Sequence, residues 1–211
     1  MRSAFSILCA LILNASCGAA AVRDTAKQTP GIPHELPYFF TKKPFISPLI
    51  IEDLSTWISD GGDQVVAINL IESHESNRYY GDIQTYENPE IEYPYVCVQK
   101  GDEEAPVRKP EFGYQYVGKT PEDIYILRTA DNGGGTLTMS RLILLVIEKD
   151  TSLRYDLDSP MIKEERVLLK KIGSVTLASQ TWDGKVEFDG KTGIFIGDSE
   201  EPPGRWIQIK R

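Results

Sequence analysis

Residues 142–147 read Leu-Ile-Leu-Leu-Val-Ile, six apolar side chains in succession. In an extended chain, neighbouring side chains point to opposite faces, so a run that is apolar on both parities needs cover on both sides of its sheet. The run therefore predicts a central strand packed on two faces. It lies in 137–149, and residues 123–129 (Asp-Ile-Tyr-Ile-Leu-Arg-Thr) precede it across Asp131-Asn132-Gly133-Gly134-Gly135. Asn and Gly tolerate positive φ, so the pair reads as the two arms of a long hairpin.

The same grammar recurs along the chain. Residues 64–71 (QVVAINLI) are rich in strand formers and follow Asp60-Gly61-Gly62-Asp63, a tight-turn composition. Residues 93–100 alternate Tyr95, Cys97 and Gln99 against Val96 and Val98, and residues 112–118 alternate aromatics with small or polar side chains. Residues 159–173 are ambiguous. Ser159, Pro160, the early acids, Lys170, Lys171 and Gly173 punctuate a helix, whereas Arg166 onward reads as a strand. The expectation is a short helical turn at 160–165 followed by a strand. Seven to ten short strands with this spacing predict an all-β fold, an antiparallel β-sandwich or jelly-roll-like domain over 49–211.

Two segments precede that domain. In residues 1–21, Arg2 stands before a largely apolar run from Ala4 to Leu13, and Ala19-Ala20-Ala21 offers a small-residue cleavage site. This is the pattern of a secretory signal peptide, and the run is shorter than the roughly 20 residues of a membrane span. Asn14-Ala15-Ser16-Cys17 resembles a bacterial lipobox, except that Asn14 stands where an aliphatic residue is usual, so lipidation at Cys17 is the lesser expectation. Either way the chain is expected to be exported, to the periplasm or cell envelope. In residues 22–48, Pro30, Pro33, Pro37, Pro44 and Pro48 favour extended backbone, a Pro-rich tether. Tyr38, Phe39, Phe40 and Phe45 predict that its second half packs onto the body.

Once the leader is removed, Cys97 is the only cysteine, so no internal disulfide can form and burial must hold the domain. Set between Val96 and Val98, it reads as a small buried hydrophobe. The net charge of −8, without a basic cluster, argues against nucleic-acid and anionic-membrane partners. No transmembrane segment is expected in the mature chain.

Catalytic and metal signatures are sparse. Residues 181–198 (TWDGKVEFDGKTGIFIGD) contain Asp183-Gly184 and Asp189-Gly190, but these flank a strand pattern and read as hairpin turns of the type with positive φ at both centres. Calcium loops place their oxygens closer together. Asp60 and Asp63, with Asn69 or Glu72, make a somewhat better calcium set, yet no coordination pattern completes it. His34 and His74 are the only histidines, and no zinc-protease, nucleophile-elbow, dinucleotide or phosphate-loop motif is present. Neither a catalytic residue, a metal nor a cofactor is assigned. The acids Glu72, Glu75, Asp82, Glu87, Glu90 and Glu92 leave a carboxylate-pair hydrolase open.

Tyrosines are the strongest feature. Tyr79, Tyr80, Tyr86, Tyr93 and Tyr95 cluster within the polar excursion and strand that follow residue 72. Rings with polar tips serve both core edges and binding faces, and long loops on rigid scaffolds carry binding sites. Asn77, Arg78, Tyr79, Tyr80 and Tyr86 are therefore the candidate ligand-binding residues. Three functions are consistent with these features: a non-catalytic binder of a carbohydrate or another partner, an inhibitor or immunity-type protein with an acidic face for a basic partner, and a carboxylate-based glycan hydrolase.

Overall fold

The computed structural model describes residues 38–55, 64–89, 92–101, 109–156, 159–177, 185–197 and 204–210. The fold is all-β and sandwich-like. A larger sheet contains β1 (Ala67–Asn69), β2 (Ile83–Tyr86), β3 (Tyr95–Gln99), β4 (Glu111–Lys119), β5 (Tyr125–Asn132), β6 (Thr138–Asp156) and β7 (Ser159–Thr176). Its order is β1-β7-β6-β5-β4-β3-β2, and every neighbouring pair is antiparallel. β2 to β7 thus form one meander, and β1 closes its far edge. A smaller sheet is built from β8 (Lys185–Phe188), β9 (Gly193–Gly197) and β10 (Arg205–Gln208).

Residues 142–147 behave as their doubled apolar pattern predicts. Ile143 and Leu145 enter a first core with Leu127, Phe112 and Tyr114, while Leu142 enters a second with Ile126, Leu177 and Ile194. β8 and β9 cover the second core through Val186, Phe188 and Ile196. The first core is covered by chain outside the sheets. Residues 38–47 form a strap in which Phe39 and Phe45 bridge, and Phe40, Phe45 and Ile46 are buried. Helix α1 (Pro48–Ser55) follows, with Ile50, Ile51 and Leu54 fully buried along one side. Pro48 suits the first helical position, where its fixed φ fits and its missing N–H costs nothing. From about Leu49 onward the sequence predicts strands, of period two or as short apolar runs bounded by turns, and residues 48–55 depart from this. The short apolar cluster of α1 instead follows a helical spacing.

Two further expectations are corrected. Residues 64–71 are not one strand: β1 ends at Asn69, whose side chain accepts a hydrogen bond from Ile71 N (3.3 Å) and caps helix α2 (Leu70–Glu75). Residues 160–165 are not helical. Ile162, Lys163, Glu164 and Glu165 pair with Arg154, Leu153, Ser152 and Thr151, so ladder hydrogen bonds override the helix punctuation. The resulting β6–β7 hairpin projects past β5 and β1, and Leu153, Tyr155 and Met161 near its tip are exposed.

At the β8–β9 turn, Asp189 Oδ1 accepts hydrogen bonds from Lys191 N (2.8 Å) and Gly193 N (2.9 Å), which hold its carboxyl below the usual carboxylate range. Only Gly190 takes a positive φ there, 79°, so the loop is longer than the two-residue turn expected. Its aspartate is still explained by turn geometry. Asp183-Gly184, Asp60 to Asp63, His34, Glu90, the leader with Cys17, and residues 22–37 of the tether lie outside the described residues. Among the described residues, no helix is long and apolar enough to cross a membrane.

Candidate functional site

β1 and β2 occupy opposite edges of the larger sheet, so residues 70–82 cross from one edge to the other. α2 begins this crossing. A single 3-10 turn, Asn77–Tyr79, follows it, capped by Ser76 Oγ, which accepts from Arg78 N (3.2 Å). The turn docks on the strap, where Ser47 Oγ donates to the Tyr79 carbonyl (2.9 Å). It docks equally on α1, where Arg78 Nη2 (2.6 Å) and the Tyr79 hydroxyl (3.0 Å) both donate to Asp53 Oδ2. Burial raises the Tyr79 pKa, and the bond to Asp53 adds to the shift.

Between the strap and this turn lies an open cleft of about 590 Å³. Tyr38, Lys43, Pro44 and Phe45 form one wall, and Asn77, Tyr79 and Tyr80 form the other. Gly81 and Ile83 lie at its β2 side. Tyr80 is 86% exposed, the largest exposure among the described large hydrophobic residues. Val98 Cγ1 would lie 2.9 Å from a Cβ at Gly81, so glycine lets the chain pass close over β3 as it leaves the turn.

Of the five candidate residues, Asn77, Tyr79 and Tyr80 line the cleft together. Arg78 is turned to Asp53. Tyr86 does not join them: Ile83 is at the cleft, and residues 84 and 86 have the opposite parity on β2. Tyr86 instead stacks on Tyr95 (centroids 6.4 Å apart), and the Tyr95 hydroxyl donates to Glu111 Oε1 (3.2 Å). Sequence reasoning did not assign Tyr38, Lys43 and Phe45 to the site. They lie more than 30 residues upstream, and the aromatic residues of the tether were the one available signal.

The remaining tyrosines divide by position. Tyr114 is fully buried, whereas Tyr93 packs edge-on against Tyr116 (4.8 Å), whose pKa burial raises to about 12. Of the acids that left a hydrolase open, Glu72, Asp82, Glu87 and Glu92 are exposed, and the Glu75 side chain is outside the described residues, as is that of His74. A different pair of carboxylates meets at the end of α1. Lys100 Nζ bonds Glu52 and lies 3.9 Å from Asp131, so its ammonium stands between them. Burial raises the Glu52 pKa, and the lysine opposes that shift. This network ties α1 to β5. Among the described residues, no group of three His, Cys, Asp or Glu side chains is placed to hold a metal.

Cys97 is buried, and burial, with Glu111 nearby, pushes its thiol up to about 12. The thiolate is the reactive form. Iodoacetamide at pH 8.5, followed by peptide mapping, is expected to modify Cys97 at least roughly a hundred-fold faster in denaturant than in buffer, because unfolding restores an ordinary thiol. Comparable rates in both would show that the β3–β4 region opens readily.

Comparison with protein-family models, with curated proteins and with solved structures finds no match to this chain.

Proposed function

We propose that this chain is an exported, non-catalytic binding protein whose cleft takes a carbohydrate. The observation that carries this reading is exposed Tyr80, which lines the cleft with Asn77 opposite a wall of Tyr38, Pro44, Phe45 and Lys43. Sugars present an apolar C–H face and a rim of hydroxyls. A ring with an adjacent amide and hydroxyls matches both. The described lining residues carry no carboxylate, which favours binding over acid–base hydrolysis at this place. Export rests on the leader-like residues 1–21 and is independent of the cleft.

A glycan array probed with residues 22–211 tests the reading. Binding should appear, and Tyr80→Ala should weaken it about five- to thirty-fold, since stacking and burial of one ring are together worth about 1–2 kcal/mol. Tyr80 is the clean choice because Tyr79 also anchors the turn to Asp53. A blank array, or one unchanged by Tyr80→Ala, overturns the proposal.

A further inference from the structure

The charge of the cleft is opposite in sign to that of the chain. Acids outnumber bases 31 to 23 over the sequence, yet Lys43 is the one charged residue among the described lining residues. Four described lysines have a carboxylate partner, Lys100 with Glu52, Lys119 with Asp123, Lys170 with Glu148 and Lys185 with Glu187, and none of these four lines the cleft. Lys43 has no carboxylate within ion-pair distance among the described residues. Its neighbour Lys42 lies over the Phe39 ring, 4.3 Å from the centroid, which leaves Lys43 as the ammonium on the cleft wall.

From this we infer that the ligand of the cleft is a saccharide bearing a carboxylate, seated with its apolar face on Tyr80 and its anion toward Lys43. The inference rests on the carbohydrate reading above and specifies its substrate class. A single ammonium on a flexible stem suits a single negative charge. A phosphate would favour a guanidinium fork or a nest of backbone N–H groups. The guanidinium of Arg78, between the lining residues Asn77 and Tyr79, is already bonded to Asp53. Exposed Asp82, between the lining residues Gly81 and Ile83, opposes any anion there and a doubly charged one most, so the carboxylate must lie toward Lys43. Asn77 and Ser76 remain to meet neutral hydroxyls.

Methyl β-D-glucuronide and methyl β-D-glucoside differ only in a carboxylate against a hydroxymethyl group, so titrating each into residues 22–211 by NMR isolates the charge. The glucuronide should bind roughly five- to twenty-fold tighter, the range expected for a charge-assisted contact at a partly exposed site. Lys43→Gln should erase that preference, so that the two sugars bind alike, whereas Tyr80→Ala should weaken both and keep the preference. High salt should reduce the preference for the glucuronide. Equal affinities in the unmodified chain, with Tyr80→Ala still weakening both, would overturn the anionic class and leave the carbohydrate reading standing. A preference that survives Lys43→Gln would overturn the role of Lys43. Failure of both sugars to shift any cleft resonance at millimolar concentration would overturn both proposals together.

Discussion

Tyr114→Ala is expected to remove about 3–5 kcal/mol of stability, as large-to-small changes of buried aromatics do. Tyr114 is fully buried in the first core, packs edge-on against Phe40 (centroids 6.0 Å) and donates its hydroxyl hydrogen to the Ile46 carbonyl at 2.8 Å. It is therefore the point where the sheet grips the strap, through one ring contact and one buried hydrogen bond. Tyr114→Phe separates the two. It keeps the ring and leaves the Ile46 carbonyl without its donor, a loss of about 1–3 kcal/mol. Urea unfolding followed by circular dichroism reads both changes as a fall in midpoint at constant m. Because domains of this size are stable by only about 5–15 kcal/mol, the alanine variant should be close to unfolding at 37 °C. An alanine variant within about 1 kcal/mol of the parent would mean that the strap contributes little to the core, and the wall carrying Lys43 would then lack its support.

The strap and the cleft show how far sequence reasoning reaches. Strand identity was legible wherever side chains alternate or are apolar on both parities, as at Tyr95–Gln99 and Leu142–Ile147, because burial on known faces leaves a period in the sequence. It failed at Pro48–Ser55 and Leu70–Glu75, helices of eight and six residues, which are too short for a helical period to stand out. It failed again at 160–165, where the helix signals are local and the hydrogen bonds to Thr151–Arg154 are not. The site divides along the same line. Asn77, Tyr79 and Tyr80 are neighbours in the chain, so composition could group them. Joining Lys43 to them required the docking of Ser47 on the Tyr79 carbonyl, a contact 32 residues apart that leaves no local pattern. Separating Tyr86 required the strand boundary at Ile83, which decides the face on which each later ring lies.

Gly118→Val is expected to loosen the smaller sheet while the larger one stays intact. β4 changes register between Tyr116 and Gly118, and the chain there runs against Phe188 of β8. A Cβ at Gly118 would lie 2.4 Å from Phe188 Cδ1 and 3.0 Å from Cε1, closer than real contacts allow, so the ring must move. Phe188 is at the end of a four-residue strand, and its displacement pulls β8 away from the small second core of Ile126, Leu142, Leu177 and Ile194. Overpacking of this kind costs about 1–3 kcal/mol. The first core shares no residue with that contact, so the cost should fall on one layer. Hydrogen exchange should show β8, β9 and β10 amides losing protection, with β3 to β6 changed little. Adding Phe188→Ala should make the double variant less destabilised than the two single changes sum to, because the valine then fills space the ring has left. Equal loss of protection in both sheets would instead mean that the layers unfold as one unit, and a double variant showing simple additivity would place the strain of Gly118→Val elsewhere than on Phe188.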